Sequence, residues 1–183
     1  GHNMIYPYRI TVNSPLGKIV VQGSDTHIQY LKFAEAQCHK EVEPELVADS
    51  ALSPRWGKDC QQQLEQYFAA EIDEFDLPID PQGTEFQQRV WHSLCDITYG
   101  TFASYQQLAM TVGNSSAVRA VASANARNPI WLIIPCHRVI GRDRALRGYA
   151  GGIERKAQLL QLEKHTLDAA SAALINEKTK VID

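Results

Sequence analysis

The sequence predicts two domains of different class: an α/β N-terminal part with a small antiparallel sheet and a helix, then a mainly α part carrying a helix-turn-helix. Three observations predict it. Residues 5–33 alternate apolar and polar in short runs separated by turn residues. The stretch from Leu77 to Gly83, with Pro78 and Pro81, reads as a linker. Beyond it, Thr84 with Gln87 and Ser104 with Gln107 form two capping-box patterns, each opening an amphipathic run. The boundaries read as 4–80, 84–165 and a tail at 166–183, and 183 residues suffice for two small cores.

In the first domain, Ile10/Val12, Ile19/Val21 and Ile28/Tyr30/Leu31/Phe33 mark three strands of a meander, separated by Ser14-Pro15-Leu16-Gly17 and Gly23-Ser24-Asp25. An acidic stretch at Glu41-Val42-Glu43-Pro44-Glu45 interrupts the pattern. Leu52 to Glu71 then reads as a helix with Trp56, Cys60, Leu64, Tyr67 and Phe68 on one side. In the second domain, the helix opened by Thr84 carries Phe86, Val90, Leu94 and Ile97 inward and is expected to end at Gly100. The helix opened by Ser104 places Tyr105, Leu108, Ala109 and Val112 at i, i+3, i+4 and i+7. Gly113-Asn114-Ser115 turns into a further helix over residues 116–124, with Arg119, Ala122 and Ser123 outside and Val118 and Val121 inside. Such a lightly covered outer face suits close approach to a nucleic-acid backbone more than base reading in the major groove.

Composition narrows the function. Ahead of Met4, Gly1-His2-Asn3 reads as a cloning remnant, and neither a secretory signal pattern nor an apolar run long enough to span a membrane is apparent. Cys38, Cys60, Cys95 and Cys136 show no paired spacing, which favours a reducing cytoplasm over a disulfide framework. Cys38 and His39 are adjacent, Cys60 and Cys95 lack partners at zinc-ligand spacing, and no metal or other cofactor is expected. The net charge of −3 divides unevenly: residues 84–165 hold ten Lys/Arg against five Asp/Glu, whereas the remainder holds eight against sixteen. The basic half is the one that would face phosphate.

The chemistry concentrates in Ile130-Trp131-Leu132-Ile133-Ile134-Pro135-Cys136-His137-Arg138-Val139-Ile140. The apolar run reads as a buried anchor, Pro135 fixes the chain direction, and His137 and Arg138 beside Cys136 favour the nucleophilic thiolate. An unpaired cysteine is commonly just a small buried hydrophobe, and these residues alone fit either reading equally. Asn128-Pro129, the Pro135-Cys136-His137-Arg138-Val139-Ile140-Gly141 run, and Gly148-Tyr149-Ala150-Gly151-Gly152 ahead of a helix together break the tie. Over about residues 84 to 165 the chain resembles the O6-alkylguanine-DNA alkyltransferases, the methylated-DNA–protein-cysteine methyltransferases. The motif is long and chemically particular, unlike a short glycine pattern.

The resemblance implies direct DNA repair: O6-alkylguanine, and O4-alkylthymine, is flipped from double-stranded DNA and its alkyl group is transferred irreversibly to Cys136 in a single turnover. It implies a ribonuclease-H-like first domain and a winged helix-turn-helix in the second. By resemblance, His137 is the base for the thiol, through a bridging water because adjacent residues of a strand-like segment face opposite ways, and Glu163 orients His137. Tyr105 crowds the phosphate of the target nucleotide and donates a proton to the base, while Asn128 ties the turn ahead of the active-site segment. Arg119 fills the space left in the duplex, and Gln106, Asn114 and Arg142 join Tyr105 in holding DNA. Val139, Tyr149, Ala150, Gly151 and Trp131 form the pocket, with Trp131 and Arg147 bordering its alkyl side. Ala122 and Trp131 depart from the usual family residues, glycine and a smaller side chain respectively.

The expected protein is a monomer in the cytoplasm, nucleoid-associated when bound, without a cofactor. The tail after His165 is expected to extend a helix and then fray. Two other classes use similar parts. A cysteine hydrolase needs an oxyanion site, for which no separate motif is visible, and a module that binds alkylated guanine without repairing it lacks the acceptor cysteine that Cys136 supplies.

Overall fold

The computed structural model describes residues 6–34, 53–141 and 148–163. The acidic stretch at 41–45, Cys38 and His39, Arg142, Arg147 and the tail at 166–183 lie outside the described residues. The chain divides into two compact units, Gly1–Gln82 and Gly83–Asp183.

In the first unit, β1 (Tyr8–Ser14), β2 (Gly17–Gly23) and β3 (Ile28–Phe33) form an antiparallel sheet in that order. Register pairs Val12 with Ile19 and Val21 with Leu31, so the apolar positions of adjacent strands fall opposite one another. The first turn is fixed by Ser14, whose hydroxyl donates to the Gly17 carbonyl at 2.6 Å and accepts from Leu16 N–H at 3.2 Å. Helix α1 (Gly57–Phe68) packs against β1 and buries Cys60, Leu64 and Tyr67. It is shorter than the expected 52–71. Pro54 and Trp56 precede it in a tight turn closed by Gly57 N–H on the Pro54 carbonyl at 2.9 Å, and Ala70 at φ +58 follows its end. Trp56 stays in the core, its indole N–H donating to the Ser24 carbonyl at 2.7 Å, while Phe68 is only half-buried.

The expected linker is tied down at one end. Ile79 bridges to Ile28 in parallel, with Ile28 N–H on the Pro78 carbonyl at 2.9 Å and Asp80 N–H on the Ile28 carbonyl at 2.8 Å. The prolines do not prevent this, because each stands where the chain needs no donor.

In the second unit, α2 (Glu85–Cys95), α3 (Tyr105–Val112) and α4 (Val118–Ala126) pack on one another. Both capping boxes form as the sequence predicts: Thr84 accepts from Gln87 N–H at 3.1 Å, and Ser104 from Gln107 N–H at 3.0 Å. Helix α2 stops at Cys95, not at Gly100. Asp96 N–H and Ile97 N–H fall back on the carbonyls of Ser93 and Leu94 at 3.2 and 3.0 Å, tightening the last turn so that Ile97 leaves the helix. Trp91, not Ile97, completes the buried face with Val90 and Leu94, and its indole N–H donates to the Ala124 carbonyl of α4 at 2.8 Å.

Gly113, at φ +98, ends α3, and Asn114 accepts from Ser116 N–H at 3.2 Å and its hydroxyl at 2.7 Å across the turn. Helix α4 begins two residues later than the sequence pattern suggests. Strand β4 (Ala103–Ser104) pairs in parallel with β5 (Val139–Ile140), and α5 (Ile153–Leu162) buries Ala157 and Leu160 against Ile140.

Candidate active site

The apolar run before Cys136 is buried but is not a strand. Ile130, Trp131, Leu132 and Ile134 are all nearly inaccessible, yet the chain doubles back on itself, with Ile133 N–H on the Trp131 carbonyl at 2.8 Å and Ile134 N–H on the Ile130 carbonyl at 3.1 Å. Leu132 holds φ +71, a left-handed conformation that costs a branched residue about 1–3 kcal/mol and persists only where its surroundings fix it. Asn128 does much of that fixing. Its amide donates to the Ile134 carbonyl at 2.7 Å and accepts from Ile130 N–H at 3.0 Å, and its own carbonyl receives the Trp131 indole N–H at 3.1 Å. One fully buried side chain thus supplies the partners a strand neighbour would otherwise give.

Cys136, His137 and Arg138 form a single 3₁₀ turn, with Cys136 N–H on the Ile134 carbonyl at 2.8 Å and Arg138 N–H on the Pro135 carbonyl at 3.0 Å. This corrects the strand-like segment expected from the sequence: Pro135 breaks the extended pattern, and neighbouring side chains in a 3₁₀ turn are not held to opposite faces. Cys136 is 3% exposed and His137 fully buried.

His137 Nε2 and Glu163 Oε2 lie 2.7 Å apart. An ionised carboxylate can only accept, so Nε2 carries the proton of this bond, which leaves Nδ1 as the basic nitrogen of the neutral ring. Glu163 caps the C-terminal end of α5 and is itself buried. Burial alone would push its carboxyl up, but His137 and Arg138 outweigh burial and hold it well below the usual carboxylate range.

Arg138 does not stand free to favour the thiolate. Its guanidinium donates to both Glu163 oxygens, at 2.8 and 3.0 Å, and to the Ile97 carbonyl at 2.6 Å. Its charge therefore serves the carboxylate.

Lys156 is the cation that sequence reasoning misplaced, having counted it with the bases that would face phosphate. It is fully buried, its ammonium donates to the Val139 carbonyl, and burial lowers its pKa to about 8 while a charge on Cys136 works in the opposite direction. The signal was present: Ile153, Lys156, Ala157 and Leu160 fall at i, i+3, i+4 and i+7, so Lys156 occupies the buried stripe of α5.

Pairing of β4 with β5 sets Ala103 beside Val139 and Ser104 beside Ile140, which brings Tyr105, the first residue of α3, to the cysteine turn. Burial, then a charge on Cys136, raises the Tyr105 pKa, and a hydrogen bond from Asn125 of α4 pulls it back. A Cβ on Gly148, at φ +66, would sit 3.1 Å from the Tyr105 hydroxyl, so the missing side chain admits the phenol. A Cβ on Gly151 would lie 2.6 Å from the Tyr149 ring and 3.2 Å from the Trp131 ring. Trp131 and Tyr149, with ring centroids 5.7 Å apart, are both buried, so Trp131 backs Tyr149 instead of standing at an open rim. Ala150 is half-buried beside them.

Arg119 and Ser123 are exposed on α4, with Val121 buried, as the helical pattern predicts. Gln106 donates to the Ser115 carbonyl at 3.2 Å, and with the Asn114 bonds it braces the turn between α3 and α4. Among the described residues, no group of three or more His, Cys, Asp and Glu could hold a metal ion, and no helix is long and apolar enough to cross a membrane.

Comparison with known proteins places this geometry. Residues 7–81 match the family model of the 6-O-methylguanine DNA methyltransferase ribonuclease-like domain, and residues 85–165 that of its DNA-binding domain. The chain is 41% identical over 160 residues to a methylated-DNA–protein-cysteine methyltransferase of Methanosarcina barkeri, covering 87% of this chain and 99% of that one. It superposes on the Mycobacterium tuberculosis O6-methylguanine methyltransferase with a TM-score of 0.76 at 41% identity, covering 88% of this chain and 95% of that one. A structure of the Mycobacterium tuberculosis OGT in complex with DNA gives 0.73 at 41% identity, over 86% and 92% of the two chains. With both domains matched and relatives aligned over nearly their whole length, the chain belongs to the O6-methylguanine DNA methyltransferase family, whose members are methylated-DNA–protein-cysteine methyltransferases.

Proposed function

We propose that Cys136 accepts the alkyl group of O6-alkylguanine, and of O4-alkylthymine, from double-stranded DNA, once per molecule. The observation that carries this reading is a thiol only 3% exposed, set in the turn whose next residue is a buried histidine bonded to a carboxylate. A thiol so enclosed cannot reach a base inside a duplex, so the base must come to it. His137 takes the thiol proton at Nδ1, through a water, while Glu163 stabilises the imidazolium that results. Lys156 holds positive charge near the sulfur while it is a thiolate. The sulfur then attacks the alkyl carbon: a C–S bond forms, the C–O6 bond breaks, and its electron pair passes to the guanine.

Tyr105 donates its proton to the departing base, whose anion is a poor leaving group. The thiol proton, held by His137, replaces it over the whole reaction. Arg119, exposed on α4, fills the vacated stack, and Gln106, Asn114 and Arg142 contact the DNA around it. Val139, Tyr149, Ala150 and Gly151 line the base site, with Trp131 behind, and Asn128 keeps the cysteine turn in shape. The product is a thioether, whose thiolate is a poor leaving group from an alkyl carbon, so turnover ends there. Residues 84–165 carry the reaction, residues 4–80 support them, and the protein acts as a monomer on DNA in the cytoplasm.

Intact-mass measurement after incubation with an O6-methylguanine duplex tests the reading. One methyl per chain, mapped to Cys136, is the expected result; an unmodified chain with released methanol would instead indicate hydrolysis.

A further inference from the structure

We infer that Arg138 is a positioning residue for the base: by holding both oxygens of Glu163 it keeps the resting His137 ring neutral, so that the ring takes its second proton from Cys136 and not from solvent. The guanidinium is itself fixed, with Nε on Oε1 of Glu163 at 2.8 Å, one terminal nitrogen on Oε2 at 3.0 Å and the other on the Ile97 carbonyl at 2.6 Å. Oε2 thus accepts from Arg138 and, at 2.7 Å, from His137 Nε2 together. The segment that follows α2 secures the end of α5 as well. The Tyr99 hydroxyl donates to the Leu162 carbonyl at 3.1 Å, and the centroid of its ring lies 5.8 Å from the guanidinium carbon.

Enclosed charge explains what the fork does. Glu163 bonded to His137 alone would make the ring its only counter-charge, and a carboxylate favours the protonated form of an imidazole beside it. A ring already charged in the resting protein accepts nothing from a thiol. Arg138 removes that demand, because the Arg138–Glu163 pair is neutral by itself. From α5, Lys156 faces the same site and is positive below about pH 8, within reach of Cys136. From the end of α2 come Cys95, within electrostatic reach of Arg138, and Asp96 beside it, both exposed to solvent; from α3 comes Tyr105, within reach of Cys136. Among the described residues the buried charges at rest are therefore Arg138 and Lys156 against Glu163, an excess of one positive charge. A proton from solvent on His137 would double that excess, which an enclosed site disfavours. The proton of Cys136 moves within the site and leaves the excess unchanged.

This inference rests on the reading of His137 as the base for Cys136, and the test separates the two. DNA-free protein, isotope-labelled at its histidine nitrogens and cysteine carbons, is titrated by NMR, with the His137 ring assigned from a His137→Gln sample. Single-turnover rates on an O6-methylguanine duplex are measured over the same pH range. Near neutral pH, wild-type His137 should be neutral and protonated at Nε2. Arg138→Gln keeps a donor to Glu163 and loses the charge; its His137 titration should move up by about 1–3 units. The acid limb of its rate profile should follow, with the rate returning toward wild type above that limb. Arg138→Lys retains the charge and should show the smaller shift. Arg138→Gln/Glu163→Gln lacks both charges and should bring the titration back toward wild type, which a loss of packing would not do.

A wild-type ring that is doubly protonated near neutral pH, beside a thiol that keeps its proton, would overturn the inference without any variant. So would an unmoved titration in Arg138→Gln, which a rate lowered equally at every pH would mark as a packing role. If the titration moves as expected while the rate profile stays in place, Arg138 governs the ring as inferred and the base reading of His137 is what fails.

Discussion

Replacing Glu163 by Gln removes one charge from a buried site that contains three charge-bearing side chains. The carboxylate is 1% exposed and accepts from His137 at 2.7 Å and from Arg138 at 2.8 and 3.0 Å. Glutamine fills the same volume, but its amide nitrogen cannot accept, so at least one of these donors faces another donor. Arg138 keeps the Ile97 carbonyl and at most one bond to the amide oxygen, and its counter-charge is gone. Leaving a buried cation in this state costs about 3–5 kcal/mol, and the denaturant midpoint of the second domain should fall accordingly.

The pH dependence identifies the cause. The Glu163 carboxyl titrates below its ordinary value of 4.5 in the fold, so its stabilisation is complete above the unfolded value and is lost as pH falls through the folded one. Glu163→Gln should therefore lose that part of the acid destabilisation below about pH 4.5 that wild type shows. Methyl transfer should fall about a hundredfold, because an unoriented imidazole is a poor base. Urea unfolding at several pH values, with single-turnover rates on the same samples, provides both readouts. A variant within about 1 kcal/mol of wild type that still reacts at the wild-type rate would refute the whole arrangement.

Four further outcomes are expected. Cys136→Ala should bind an O6-methylguanine duplex about as tightly as wild type by fluorescence anisotropy and transfer no methyl group. Arg119→Ala should slow repair within the duplex about tenfold or more and barely change reaction with free O6-alkylguanine, since only the duplex has a stack to refill; equal losses would move Arg119 to the chemical step. Lys156→Met should shift the acid limb of the rate profile to higher pH, because the charge that favours the thiolate is gone, and wild type should lose that help above about pH 8 as Lys156 deprotonates. Free O6-benzylguanine should react more slowly than O6-methylguanine in DNA, and Trp131→Leu should narrow the gap by letting the Tyr149 ring move back, at a stability cost of about 1–3 kcal/mol seen in thermal unfolding.

How much of this was legible in the sequence depends on whether the controlling interaction is local. The meander and both capping boxes were, because alternation and the three-residue spacing of Thr84/Gln87 and Ser104/Gln107 are properties of adjacent residues. The extent of α1 and α2 was not, because Pro54 and the tightened turn after Cys95 decide them through backbone bonds that hydropathy does not register. The run at 130–134 was legible as a buried anchor but its path was not, because the Asn128 amide bonds both ends of the loop and supports a compact turn that hydropathy does not register. Glu163 was found by resemblance, since nothing in its neighbours distinguishes it from a solvent-facing helix residue. Lys156 and Asn125 could have been found from helical spacing, because each falls on the apolar stripe of its helix and a buried polar group there calls for a reason.

These internal groups also change the electrostatic reading of the second domain. Among the described residues, two of the ten bases counted in 84–165, Arg138 and Lys156, are buried, as is Glu163 of the five acids. Setting them aside leaves eight bases against four acids in that part of the sequence, still an excess of positive charge. The two populations obey different physics. Surface charge that draws DNA in is screened by salt over about 8 Å at physiological ionic strength, and its contribution to binding falls as counterions compete. Arg138, paired with Glu163, and Lys156, bonded to the Val139 carbonyl, are shielded from that solvent and keep their influence on the cysteine turn. On the proposed reading, capture of the duplex and activation of the thiol should therefore be separable by ionic strength: binding by the exposed face that includes Arg119 should weaken as salt rises, while the single-turnover rate at saturating DNA should hold.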